Sequence, residues 1–152
     1  MIEMSPAPGG MSPMQIGQRA RNAYVGELSE RGIRLWRRAT RRVEFQIGSG
    51  KIVGMPYAEE KLSRPNRWFL GLPDRHFDLV ILLCESSDGK LLDFVLPSEF
   101  VSEIWDTLPL QYSNTQRKFE VRMRETEYEL RVNGRAAHRI RCFLENVAVL
   151  IG

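Results

Sequence analysis

Cysteine and histidine are scarce in this chain, with two of each in 152 residues, and neither type is grouped. Cys84 lies in the apolar run FDLVILLC and Cys142 in RIRCFLENV, and neither has a second cysteine or a histidine at metal-ligand spacing. That excludes a zinc site of about four nitrogen and sulfur ligands and a disulfide framework. Both thiols are expected to be buried, since unpaired cysteine behaves as a small hydrophobe. No apolar run approaches membrane-spanning length. The start, MIEMSPAPGGMSPMQ, has neither a basic segment followed by an apolar one nor an Arg-rich amphipathic character, so secretion and organelle import are not expected and the cytoplasm is the default. No glycine-rich phosphate loop, nucleophile elbow or HExxH string occurs, and no cofactor is expected.

Lysine is scarce as well: of 22 basic residues 4 are Lys and 18 are Arg. Arginine favours planar, two-pronged contact with phosphate or carboxylate over a hydrated point charge, although a genome rich in Arg codons gives the same skew. The net charge of +3 conceals a segregation. Residues 1–67 hold twelve basic and six acidic side chains, 68–112 two and eight, and 113–152 eight and five. The middle is acidic and both flanks are basic.

A hydrophobic share of 43% and a charged share of 27% are those of a globular protein, and the length suits one core. Residues 1–15, rich in Pro, Gly, Ser and Met, read as a flexible leader. Residues 16–152 then form a single α+β domain. Ile16, Ala20, Ala23, Tyr24 and Leu28 follow the three-and-four spacing of one helix face, with Gly32 as the stop. Beyond it Ile33, Leu35, Ala39, Val43, Phe45 and Ile47 occupy odd positions, the alternation of strands, which predicts two short strands joined near residues 39–42. The GSG turn at 48–50 leads into a third strand over 51–58, with Pro56 marking a strand end or edge. WFLGL and FDLVILLC read as strands buried on both faces, SSDG as a hairpin turn into KLLDFVLP, and residues 97–108 as a helix opened by proline. A hairpin over 119–132 and a closing helix over 139–151 complete a mixed or antiparallel sheet of about five to seven strands.

Strand alternation over 33–42 sets Arg34, Trp36, Arg38, Thr40 and Arg42 on one side, a basic ribbon with an aromatic in it. Guanidinium groups bind phosphate and an exposed indole stacks on an unpaired base, which is the chemistry of a nucleic-acid surface. Arg19, Arg21 and Arg31 on the preceding helix extend it. The competing reading pairs these arginines with Glu27, Glu30 and the acidic middle. Lys118, Arg122, Arg124 and Arg131 share faces with Glu120, Glu127 and Glu129, so that hairpin is expected to be mixed in charge.

The string Pro73-Asp74 followed by Asp88-Gly89-Lys90 spells the PD…(D/E)xK of metal-dependent nucleases. Asp88-Gly89 is a turn signal, however, and Asp74 precedes the strand that leads to it, so the two lie at opposite ends of that strand. A different alignment fits better. Helix 16–31, then GIRLWRR, VEFQI, a glycine turn and KIVGMPYA, about the first third of the chain, resembles the helix-strand-strand-strand opening of Holliday-junction-resolvase-like members of the PD-(D/E)XK superfamily. That family sets a glycine at the helix start with a glutamate four residues on, an acid on the second strand and (E/Q)-x-K on the third. Gly17 and Glu44 match. Arg21 stands in place of the helix carboxylate, and Val53-Gly54-Met55 in place of the acid and lysine. The resemblance therefore implies either a catalytically inactive nucleic-acid-binding module or a Mg²⁺-dependent nuclease whose acids are Glu44 with Asp78 or Glu85. A third reading is a protein-interaction subunit, or homo-oligomer, built on segregated charge.

Overall fold

The computed structural model describes residues 2–38, 41–134 and 136–151. Ala39 and Thr40, expected at the turn of the basic ribbon, lie outside them. The chain opens with β1 (Ile2–Glu3) and α1 (Pro13–Glu30), followed by β2 (Trp36–Arg38), β3 (Arg41–Gln46), β4 (Ile52–Gly54) and β5 (Tyr57–Glu59). The middle supplies β6 (Arg67–Pro73), β7 (Leu79–Glu85), β8 (Lys90–Leu96) and α2 (Ser98–Ile104). After them come β9 (Leu110–Gln111), β10 (Gln116–Arg124), β11 (Glu127–Arg131) and β12 (Ala137–Arg139).

α1 begins where Ser12 and Gln15 form a reciprocal capping box with proline in the first turn, which satisfies donors that a helix start leaves free. It ends at Gly32 with φ +81°. There Ile33 N–H reaches the Leu28 carbonyl and Gly32 N–H reaches that of Ser29, while Ile33 and Leu28 pack in the same core. This is the glycine stop expected from the sequence.

The described strands form two sheets. One runs β1-β8-β7-β4-β3-β2, with β5 also on β7, and the other runs β12-β11-β10-β6, with β9 on β10. β7 is the axis of the first: it pairs antiparallel with β8 and parallel with β4 and β5. Its six residues from Leu79 to Cys84 are all buried. Leu79, Ile81 and Leu83 face α1 through one core; Val80, Leu82 and Cys84 meet the second sheet and α2 through another. The result is a single α+β domain with the sheet between α1 and the second sheet. No described helix is long and apolar enough to cross a membrane.

Four expectations need correction. Ile2 and Glu3, placed in a flexible leader, pair with Leu91 and Lys90, because the free edge of β8 offers them a ladder. WFLGL is not buried on both faces: Trp68, Leu70 and Leu72 face the core, while Phe69, on the outer face of the second sheet, is 37% exposed. Cys142 is exposed. The closing helix is absent. Residues 137–139 form β12, and residues 141–143 and 147–150 form 3₁₀ turns. Glu145 takes φ +59°, which no α-helix accommodates, and its N–H goes to the Asp93 carbonyl of β8. Val147 and Leu150 are buried through that docking.

Asp93 is buried on the α1 side of β8, where it accepts a 2.7 Å hydrogen bond from Tyr24 Oη. Its other oxygen has no partner among the described residues. Burial pushes this carboxyl up despite the Tyr24 hydrogen bond, and Glu145 adds to the rise. A raised folded value means the contribution to stability is full below the unfolded pKa of about 3.9 and is lost as pH rises through the folded one. Asp93→Asn should therefore be more stable than the parent at pH 8, by about 1–2 kcal/mol. The gap should close on acidification, as read by thermal unfolding across pH; a gap independent of pH would show that the carboxylate is not the strained group.

Candidate functional site

The second and third strands pair antiparallel, and each carries an arginine pair at the same end of their ladder, Arg37-Arg38 and Arg41-Arg42. Regular pairing of Trp36 with Gln46 and Arg37 with Phe45 gives way to Arg38 opposite Arg41. Three extra residues of β3 are thereby accommodated in a bulge, and bulges re-aim side chains. The four guanidinium groups divide between two neighbours.

On one side lies Glu44, whose side chain is 2% exposed. Arg38 Nε and Arg41 Nη1 each stand 3.0 Å from its Oε2, and Arg75 Nε, from the β6–β7 connection, stands 2.9 Å from Oε1. Burial alone would raise this carboxyl, but the hydrogen bond from Arg41 and the charges of Arg75, Arg41 and Arg38 outweigh it and hold it below the usual glutamate range. Glu44 pairs across the ladder with Gly54. A Cβ on Gly54 would come within 2.8 Å of Leu72 and 3.0 Å of Phe77, so glycine there is a requirement of packing between the layers.

On the other side lies Arg21. It is 8% exposed, and its Nε donates to the Met55 carbonyl at 2.7 Å. Burial, then the nearby charges of Arg42 and Arg37, lower its pKa to about 10. Arg37 lies over the Phe45 ring and donates to Asn22 Oδ1 at 2.6 Å, and the Gln18 amide sits between Arg37 and Arg21. Among the described residues no carboxylate pairs with Arg21, Arg37 or Arg42. Arg38, Arg41 and Arg75 thus surround Glu44, while Arg21, Arg37 and Arg42 form a separate group of three guanidinium groups beside α1.

The expected ribbon is partly assembled and partly dispersed. Arg21 and Arg42 belong to the corner, and Arg38 does too, though it is tied to Glu44. Arg34 stands 5.5 Å from the ring centroid of Trp36, which is 45% exposed. This pair extends the outer edge of β2. Arg19 turns away to donate to the Ser5 carbonyl. Arg31 caps the far end of α1, about 18 Å along the helix from Arg19. Arg37, Arg41 and Arg75 were missing from the sequence reading. Alternation along a single run hid the first two, whereas the antiparallel pairing of β2 with β3 brings both arginine pairs together.

The carboxylates proposed for a metal site do not converge. Asp78 accepts from Ile52 N–H at 2.8 Å and contacts His76 Nε2 at 2.9 Å. Burial raises its carboxyl, and these contacts lower it to a net fall. Glu85 accepts from Tyr57 Oη at 2.8 Å at the opposite end of β7, about 23 Å away at strand rise. Glu44 is saturated by arginine. Among the described residues no group of three or more His, Cys, Asp or Glu is placed to hold a metal. Asp74 is held by Arg117 and Trp105, and Asp88 lies in the turn between β7 and β8, as strand geometry required. Across the outer face of β10 and β11, Lys118 and Arg131 stand 3.7 Å from Glu120, and Arg122 stands 3.2 Å from Glu129. The mixed surface expected there is present.

No known family model matches the chain, and no curated protein matches it either.

Replacing Glu44 with Gln leaves Arg38, Arg41 and Arg75 without their shared counter-charge. Half of that cluster is open to water, so the expected loss is about 2 kcal/mol, read by denaturant unfolding at pH 7. The depressed pKa means Glu44 stabilises the parent above the unfolded glutamate value and that this is lost as pH falls through the folded one. The difference between parent and variant should therefore vanish in acid.

Proposed function

We propose that this protein is a nucleic-acid-associated binding module that grips the phosphate backbone with the corner formed by α1 and the β2–β3 hairpin. The observation that carries this reading is the crowding of Arg21, Arg37 and Arg42 with no carboxylate of their own among the described residues. Like charges in close array cost free energy unless an anion meets them, and a polyanion does so with release of its condensed counterions. The exposed Trp36 ring at the start of β2, with Arg34 just before it, adds a stacking surface and a guanidinium.

The order α1, β2, β3, β4 in a mixed sheet supports, as part of the same proposal, a PD-(D/E)XK-like architecture without its catalysis. The residues at the corresponding positions do not fit a Mg²⁺ ion. Arg21 brings a cation where that family has a carboxylate. Met55, fully buried, takes the place of the lysine. Glu44 is already engaged by three guanidinium groups, and a hard cation needs free oxygen ligands. The proposed role is therefore binding, and no hydrolytic step is assigned.

Affinity for a nucleic-acid oligomer should fall linearly on a plot of log K against log salt. Arg37→Glu with Arg42→Glu, both at exposed positions, should weaken binding at least tenfold and make that slope shallower by about 1–2. Fluorescence anisotropy over 50–300 mM salt reads both quantities. Binding that is absent, or that ignores ionic strength, would refute phosphate-driven association.

A further inference from the structure

Beside the arginine corner, a groove of about 610 Å³ runs between the first turns of α1 and the segment from β5 to β6. Its size lies within the range of about 300–1,000 Å³ common for ligand sites. Its lining includes Ile16, Tyr57, Lys61, Arg64, Arg67 and Phe69. Phe69 faces outward from the edge strand, with Arg64 and Lys118 each 5.3 Å from its ring centroid. Among the described residues Lys61, Arg64 and Arg67 make no ion pair. The nearby Glu60 carboxylate is spent on the backbone N–H groups of Asn66 and Ser87, which fixes the loop that carries these cations. Glu59 is the one acidic residue on the lining.

Tyr57 joins this groove to the arginine corner. A Cβ on Gly17 would lie 3.3 Å from the Tyr57 ring and 3.4 Å from Arg21 Nη1, so the two side chains pass each other over the same glycine. The arginine corner therefore adjoins a second basic segment that contains aromatic rings. Bases inside a duplex are stacked on one another and cannot enter such a groove without being extruded. Unpaired bases enter it freely and stack on aromatic side chains.

We infer that this groove receives an unpaired nucleobase, with Phe69 and Tyr57 as its apolar surfaces and Arg64 and Arg67 on the adjoining phosphates, so that the protein prefers single-stranded to duplex nucleic acid. The inference rests on the phosphate-binding reading above and adds the form of the ligand. It is tested with the full chain and fluorescein-labelled 20-nucleotide oligothymidylate, oligouridylate and a duplex of the same length, compared by anisotropy at one salt concentration. At least one of the single strands should bind about tenfold more tightly than the duplex. Phe69→Ala should remove most of that preference while leaving duplex affinity unchanged, and Phe69→Trp should keep it. Phe69 is partly exposed on an edge strand, so both variants should retain the parent melting temperature. Equal affinity of the parent for duplex and single strands would overturn the groove assignment and leave the arginine corner standing, as would an equal loss for both ligands in Phe69→Ala. Failure of the parent to bind any of the three would overturn both.

Discussion

One buried carboxylate, Glu44, governs how the basic corner is built. Three guanidinium groups converge on it from two limbs of a hairpin and from the β6–β7 connection, and they could not be packed so closely without it. Arg38, Arg41 and Arg75 share that charge, whereas Arg21, Arg37 and Arg42 pair with no carboxylate among the described residues. The structure thus separates arginines that hold the hairpin from arginines left with a surplus of positive charge. This surplus, and not the number of arginines in the chain, is what gives the corner its proposed role.

The scaffold behind the corner follows from β7. A strand buried on both faces needs apolar cover on both, and α1 supplies one side while the second sheet and α2 supply the other. The cover is tight enough that Gly54 has no room for a Cβ. Val53 and Met55 are buried in the core that α1 covers, and Arg21 is tied to the Met55 carbonyl. Side chains that fill and cross-link these positions leave little space for a hydrated cation.

Much of this arrangement was legible in the sequence because it rests on local signals. The helix face through Ala20, Tyr24 and Leu28 with Gly32 after it, the odd-position apolar series through Phe45, the SSDG turn and the fully apolar run of β7 each have a periodicity or turn chemistry that a single segment carries. What was not legible depended on partners far along the chain. The closing segment has helical spacing, yet it docks on β8 through Glu145 and Leu144, and that contact overrides local preference. Arg75 joins Glu44 across 31 positions, and Phe69 is exposed because it stands on the outward face of the second sheet, opposite Glu120, a fact of topology rather than of composition. Glu44, singled out as a candidate acid, is the shared counter-charge of three arginines. Arg38 and Arg41 were visible as its neighbours in sequence but not as its partners.

The central claim is that Arg37 and Arg42, beside buried Arg21, form an anion site. Side-chain Nε–Hε resonances of arginine, followed by NMR while a short oligothymidylate is added, test it most directly. The signals of Arg37 and Arg42 should move with added ligand and return on raising the salt, while Arg117, locked on Asp74, stays still. Shifts confined to arginines elsewhere, or none at all at millimolar oligonucleotide, would contradict it.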